Sequence, residues 1–165
     1  MKTIKHLFLD LEDTIITPVV NGWASFEVIN LQKIKDLMEE FQPDAVNIFS
    51  FAIHDNHQLK LFNAHTRPFL EEVLGVCLGM VPTVDDDIIP ACCSVRSIHP
   101  QMVSFSDASD FWSKHESFRL FCRSKFKTTF QHGVKTEVML LDDMVFNEEF
   151  SWPDIFVSGK IINIS

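Results

Sequence analysis

The chain has 165 residues, 46% of them hydrophobic and 22% charged, with a formal net charge of −9. That length and balance suit one folded domain with a substantial core and exclude an intrinsically disordered chain. The acidic balance argues against a non-specific grip on long nucleic acid, which needs basic surface to displace counterions, but leaves open a small anion held by a few local cations.

The first apolar run, "HLFLDL" at residues 6 to 11, reads as a short strand buried on both faces. Asp10 cuts it too early for a signal peptide, despite Lys2 and Lys5. No later run reaches the roughly 18 residues needed to span a bilayer. Asn21-Gly22, set between β-branched and aromatic residues, predicts a hairpin turn and hence a small β-flap after the first strand. Residues 30 to 43 read as a helix with an apolar stripe of Leu31, Ile34, Leu37, Met38 and Phe41. Asn30 is the expected cap and Pro43 the stop.

"AVNIFSFAI", residues 45 to 53, predicts a second buried strand. A helix follows, interrupted near Arg67-Pro68 and ended by Gly75. Residues 76 to 110 are the least regular stretch. Within them "IIPACC" and "MVSF" are strand candidates, and Asp85-Asp86-Asp87 reads as a solvated turn. Ser113 and Glu116 form an S-x-x-E capping box at the start of a clear helix. "EVMLLDD" is a buried strand ending on Asp142 and Asp143, and "DIFVSGKIINI" reads as two short strands around Ser158-Gly159. Strands alternating with helices predict an α/β fold with a mainly parallel sheet, as a single domain over 1–165. Residues 79–106 have room for a small insertion. Cys77, Cys92, Cys93 and Cys122 match no zinc spacing, and the adjacent pair suits no ordinary disulfide framework. Reduced thiols in a cytoplasmic protein are the expectation.

In open parallel sheets, ligands bind beyond the carboxyl ends of the strands. Asp10 ends the first strand, Ser50 lies near the end of the second, and Asp142-Asp143 end a later one. A single acid at a strand end is commonly a cap or a turn former. Carboxylates from two strand ends held close need a cation between them, and hard oxygen donors suit Mg²⁺.

"FLDLEDTI" resembles the first motif of the haloacid dehalogenase superfamily of phosphohydrolases, a strand followed by acid-x-acid-x-threonine. That family's later motifs are a strand ending in Ser or Thr, a Lys near a helix start, and a strand ending in paired acids. "NIFS", "SKHESF" and "MLLDD" supply them in that order as Ser50, Lys114 and Asp142-Asp143. Receiver domains use similar residue types with the acidic pair early, so the order separates the two. The resemblance implies a Rossmann-like three-layer sandwich and catalytic roles for Asp10, Glu12, Ser50 and Lys114. Asp10 is the implied nucleophile, Ser50 binds a phosphate oxygen, and Lys114 offsets charge. Asp10, Asp142, Asp143 and the Glu12 backbone carbonyl are the implied Mg²⁺ ligands. Glu12 departs from the family, which usually has Asp there as acid and base. Asp13 also departs, and reads as an exposed turn residue.

Thr14, His54 and Trp23 complete the candidate substrate contacts. Trp23 on the flap either stacks on a ring or packs internally. His54, Asp55 and His57 lack a third ligand for a transition metal. Arg119, Arg123 and Lys127 recur every four residues, so they form either a phosphate-facing stripe or a solvated helix face. With no room for a large cap before Ser50, the site is open. The expected reaction is hydrolysis of a phosphorylated small molecule or nucleotide, or of a nucleic-acid end, with a homo-oligomer as one way to close the site and no membrane partner. The rival expectation is a catalytically weak relative that binds a phosphorylated ligand or a protein.

Overall fold

The computed structural model describes residues 1–103 and 113–165. β1 (Lys2–Leu9) lies inside a five-stranded sheet, parallel to β2 (Ala45–Ile48) on one side and to β3 (Val134–Asp142) on the other. β5 (Val157–Asn163) runs parallel to β3, and β4 (Glu148–Trp152) closes the edge antiparallel to β5. The order is β2-β1-β3-β5-β4. The expected α/β architecture with a mainly parallel sheet is therefore present.

Both faces of the central strands are buried, which is why their sequences read as continuous apolar runs. Side chains alternate between the faces. Leu7 and Leu9 share one face with Met139 and Leu141, whereas Phe8 shares the other with Val138 and Leu140. On the Phe8 side lie α4 (Ile89–Arg96) and α5 (Lys114–Phe126). There Phe8, Phe49, Phe118 and Phe121 form an aromatic cluster, with Phe49 centred 5.1 Å from Phe118 and 5.4 Å from Phe121. Rings of this kind pack edge to face and leave no hydroxyl to satisfy. On the Leu7 side lie the segment after β1, α1 (Leu31–Phe41), α2 (Asn56–Leu61) and α3 (Arg67–Leu74).

The flap forms as a hairpin held by isolated bridges, Ile16 to Val28 and Val20 to Ser25. At its tip Asn21, Gly22 and Trp23 have φ of 50°, 63° and 74°. A left-handed Trp is uncommon. Its ring is 1% exposed and packs edge-on against Phe62 at 5.6 Å, and this burial holds the conformation.

Several elements differ from the sequence reading. Asn30 does not cap α1 through its side chain; its backbone is left-handed at φ 54°, and the amide is used elsewhere. α2 and α3 join through a widened helical turn, Phe62–Thr66, immediately before Arg67-Pro68. "IIPACC" is helical, because Thr83 caps the turn Val84–Ile88 and Pro90 sits in the first turn of α4. Its apolar residues Ile88, Ile89, Cys92 and Cys93 pack into the same core as Phe118, so the described part of 79–106 contributes a helix to this layer. Asp85, Asp86 and Asp87 are exposed in that first helical turn. Of "MVSF", Met102 ends a short helical turn, Pro100–Met102, rather than a strand, and residues 104 and 105 lie outside the described residues. β4 went unrecognised, and Ser158-Gly159 lies inside β5 rather than in a turn. β4 is an edge strand with little apolar alternation, so its pairing with β5 defines it.

All four cysteines are free, with Cys77 exposed and Cys92, Cys93 and Cys122 buried. Burial pushes the Cys92 thiol up to about 12. Among the described residues no helix is long and apolar enough to cross a membrane.

Gly159 allows β4 and β5 to approach. A Cβ there would lie 2.4 Å from the Phe150 ring and 2.7 Å from a Val138 methyl. Gly159→Ala is expected to destabilise the protein by about 1–3 kcal/mol through overpacking, read as a lower urea midpoint at unchanged m-value.

Candidate functional site

The β1–β3 register sets the site. Leu9 stands opposite Leu141, and the Asp10 N–H donates to the Leu141 carbonyl at 3.0 Å, carrying the ladder one residue past β1. Asp10 and Asp142 are thus neighbours on adjacent strands. Both continue the alternation that points Phe8 and Leu140 toward α5. Lys114 is the first residue of α5, whose start is capped by Ser113 Oγ accepting from Glu116 N at 3.2 Å. The Lys114 ammonium lies 3.1 Å from Asp10 Oδ1 and 3.2 Å from Asp142 Oδ2. It also sits over the Phe51 ring at 4.6 Å, which adds a cation–π contribution.

The charges are strongly perturbed. Burial pushes the Asp10 carboxyl above the ordinary aspartate range; Lys114 opposes the shift and Asp142 reinforces it. Burial on its own would lower the Lys114 pKa, but Asp10 and Asp142 more than offset it and hold the ammonium above its usual value. Asp143 is also raised, first by burial and then by Asp142.

Thr14 ties these acids together. Its hydroxyl accepts from Asp143 N at 3.0 Å. It lies 3.2 Å from both Asp10 Oδ2 and Asp143 Oδ1, so its single proton bonds one carboxylate at a time. The loop is set by the Leu11 carbonyl, which accepts from the N–H groups of Thr14, Ile15 and Ile16 at 3.1, 3.0 and 3.1 Å. Asp13 turns the chain at φ 61°, a conformation Asp tolerates, and stays exposed as expected. Asn30 Nδ2 donates to the Thr14 carbonyl at 2.9 Å, so the residue expected to cap α1 anchors the site loop instead. Its signal in the sequence was its place before the helix; its partner lies sixteen residues upstream.

Oxygens of Asp10, Asp142 and Asp143 all lie within 4.8 Å of one another, the one such acid, His or Cys group found among the described residues. The Glu12 carboxylate is not part of it. Glu12 Oε2 accepts from the Val19 backbone N–H at 2.7 Å, which binds the carboxylate to the flap. Ser50 is 1% exposed and follows Phe49, whose N–H bonds the Leu9 carbonyl at 2.9 Å. The Ser50 hydroxyl accepts from Ala52 N at 3.2 Å. His54 is half-exposed and faces Asp55 at 3.4 Å. Asp55 caps α2 by accepting from Gln58 N at 2.9 Å. Trp23 is buried and donates its indole N–H to Gln58 Oε1 at 2.8 Å, so it packs internally rather than offering a face to a ligand.

The basic stripe on α5 is largely engaged by the chain itself. Arg123 makes a two-pronged bond to Asp154 at 3.0 and 2.8 Å, and Arg119 pairs with Glu116 and Glu148. Intramolecular acids therefore hold the two arginines, and neither presents an unpaired charge for phosphate.

Comparisons with family models, curated proteins and solved structures return no match to this chain.

Lys114→Met keeps an aliphatic stem and removes the charge between Asp10 and Asp142. Breaking such a buried pair costs about 3–5 kcal/mol. Losing the ammonium raises the Asp10 pKa further. A carboxyl raised on folding contributes stability below its unfolded pKa that is lost as pH rises through its folded pKa. The deficit relative to wild type is therefore largest near neutral pH and shrinks as pH falls toward about 4. Urea unfolding in EDTA across that range measures it.

Proposed function

We propose that this protein is a Mg²⁺-dependent phosphomonoester hydrolase related to the haloacid dehalogenase group, with Asp10 as its nucleophile. The observation that carries the reading is the Lys114 ammonium held between Asp10 and Asp142 at the carboxyl ends of β1 and β3. A carboxylate paired with a buried ammonium, beside the start of a capped helix, suits attack on a phosphorus centre.

The donor set fits the cation. Two of the three clustered carboxylates pair with one ammonium, and the oxygens of all three are close enough to share a hard divalent ion. Asp10, Asp142 and Asp143 would hold it, and bound there it supplies charge neutralisation for the phosphoryl oxygens.

In the first step an Asp10 oxygen bonds to phosphorus and the ester P–O bond breaks. The leaving oxygen takes a proton from the Glu12 carboxyl. In the second step water attacks the aspartyl phosphate, Glu12 accepts its proton, and phosphate leaves. Lys114 stabilises Asp10 and the transferred group. Ser50 lies next to the β1–β2 ladder, where its hydroxyl can bond a phosphate oxygen. Thr14 orients Asp10 and Asp143.

One observation favours a second reading, a phosphate-binding protein with little turnover. Glu12 Oε2 is bonded to Val19 N at 2.7 Å, so proton transfer requires this contact to break or the other oxygen to serve. A shift of about 1 Å at such a group costs on the order of a hundredfold in rate.

Phosphate release from p-nitrophenyl phosphate, nucleoside monophosphates and phosphorylated oligonucleotides tests both readings. The expected result is turnover that needs Mg²⁺, stops in EDTA, and falls by on the order of 10⁴-fold or more in Asp10→Asn. Wild-type silence with turnover gained in Glu12→Asp selects the second reading. Silence from both, with no shift in melting temperature on adding Mg²⁺ or phosphate, overturns both.

A further inference from the structure

Two large apolar side chains stand in water on the turn that directly follows Asp143. Met144 is 85% exposed and Phe146 is 65% exposed. They belong to the turn after β3 and flank Val145, which is 4% exposed and packs into the Phe8-side core. The turn is pinned at several points. Met144 N donates to Asp142 Oδ1 at 2.8 Å. Asn163 Nδ2 donates to the Val145 carbonyl at 2.5 Å and to the Asp143 carbonyl at 3.3 Å, and Asn163 N donates to Asn147 Oδ1 at 2.7 Å.

Phe146 is also held from α5. The His115 imidazole stacks against it at 3.9 Å with planes 24° apart, and His115 Nε2 donates to the Phe146 carbonyl at 3.0 Å. His115 immediately follows Lys114, the residue that bridges Asp10 and Asp142. One face of the ring is therefore backed by a stacked side chain while most of its surface remains in water. The ring lies three residues from Asp143 on one chain segment and packs on the neighbour of Lys114 on another.

An apolar ring fixed in water by a pinned backbone loses hydrophobic stabilisation unless a ligand covers it, and its immobility lowers the entropy cost of covering it. Two side chains are far too little surface for a stable protein interface, which buries about 1,000 Å² or more. They are the right size for one planar ring. We propose that Phe146, flanked by Met144, stacks on a nucleobase in the leaving group of the phosphate ester, so that the preferred substrates are nucleoside monophosphates or nucleotide ends. This rests on the hydrolase reading above and names the substrate class of that same site.

The experiment compares a nucleoside 5′-monophosphate with ribose 5-phosphate, which carries the same ester without the base. Wild type, Phe146→Ala and Phe146→Leu are measured, with melting temperatures as a folding control. The expected result is that the kcat/KM ratio of nucleotide over ribose phosphate exceeds one in wild type. It then falls about tenfold in Phe146→Ala, the scale of one lost base–aromatic stack. Phe146→Leu is expected to recover less than half of that loss on a logarithmic scale. A ratio unmoved by Phe146→Ala, or fully restored by Leu, overturns the stacking role and leaves the hydrolase standing. If wild type hydrolyses neither ester, the hydrolase reading fails separately. Equilibrium binding of the nucleotide to wild type and Phe146→Ala then decides, weaker binding by the variant supporting the stack and equal or absent binding overturning it.

Discussion

The contact of Lys114 with Asp10 and Asp142 is the interaction on which the site depends. Two aspartates on adjacent parallel strands, both largely out of water, repel each other. The ammonium between them makes the arrangement tolerable, and its own burial is offset by the same two carboxylates. Such a group does not stabilise a fold on balance, since an apolar replacement of all three side chains would cost less desolvation. The cluster is in keeping with the phosphohydrolase chemistry proposed for it.

Holding that cluster falls to parts of the chain remote from it. The two aromatic and aliphatic cores clamp β1 against β3, so their register cannot slip by one residue without turning every side chain to the wrong face. The Leu11 carbonyl, Thr14 and Asn30 form a chain of hydrogen bonds from the end of β1 to the start of α1. On the opposite side Asn163, at the end of β5, fixes the turn that carries Asp143, Met144 and Phe146. The acids are thus positioned from three elements, which is the arrangement that preorganised electrostatics requires.

Much of the frame was legible because local signals agreed with the global fold. β1 and β3 are dense apolar runs, α1 carries an apolar stripe, and the Ser113–Glu116 capping box of α5 formed as its spacing implied. The same signals failed where a second partner intervened. Pro90 and the Thr83 cap made a helix of an apolar, cysteine-rich run that reads as a strand. Asn30 found a better partner in the Thr14 carbonyl than in its own helix. Trp23, on an expected flap, became part of the core. Arg119 and Arg123 share a helix face as their spacing dictates, yet Glu116 of the same helix, Glu148 of β4 and Asp154 hold them.

The sequence by itself determined which residues carry charge, and the order in which strands deliver them. Strand signals are local, so Asp10, Ser50 and the Asp142-Asp143 pair could be placed at strand ends without coordinates, whereas Lys114 was singled out only by the resemblance to the haloacid dehalogenase motifs. Tertiary structure alone decided which of them meet. Register brought Asp10 beside Asp142, the start of α5 brought Lys114 between them, and the flap drew the Glu12 carboxylate to Val19. It also decided that Phe146 stands exposed beside the site while Trp23 does not, because exposure depends on what the rest of the chain covers.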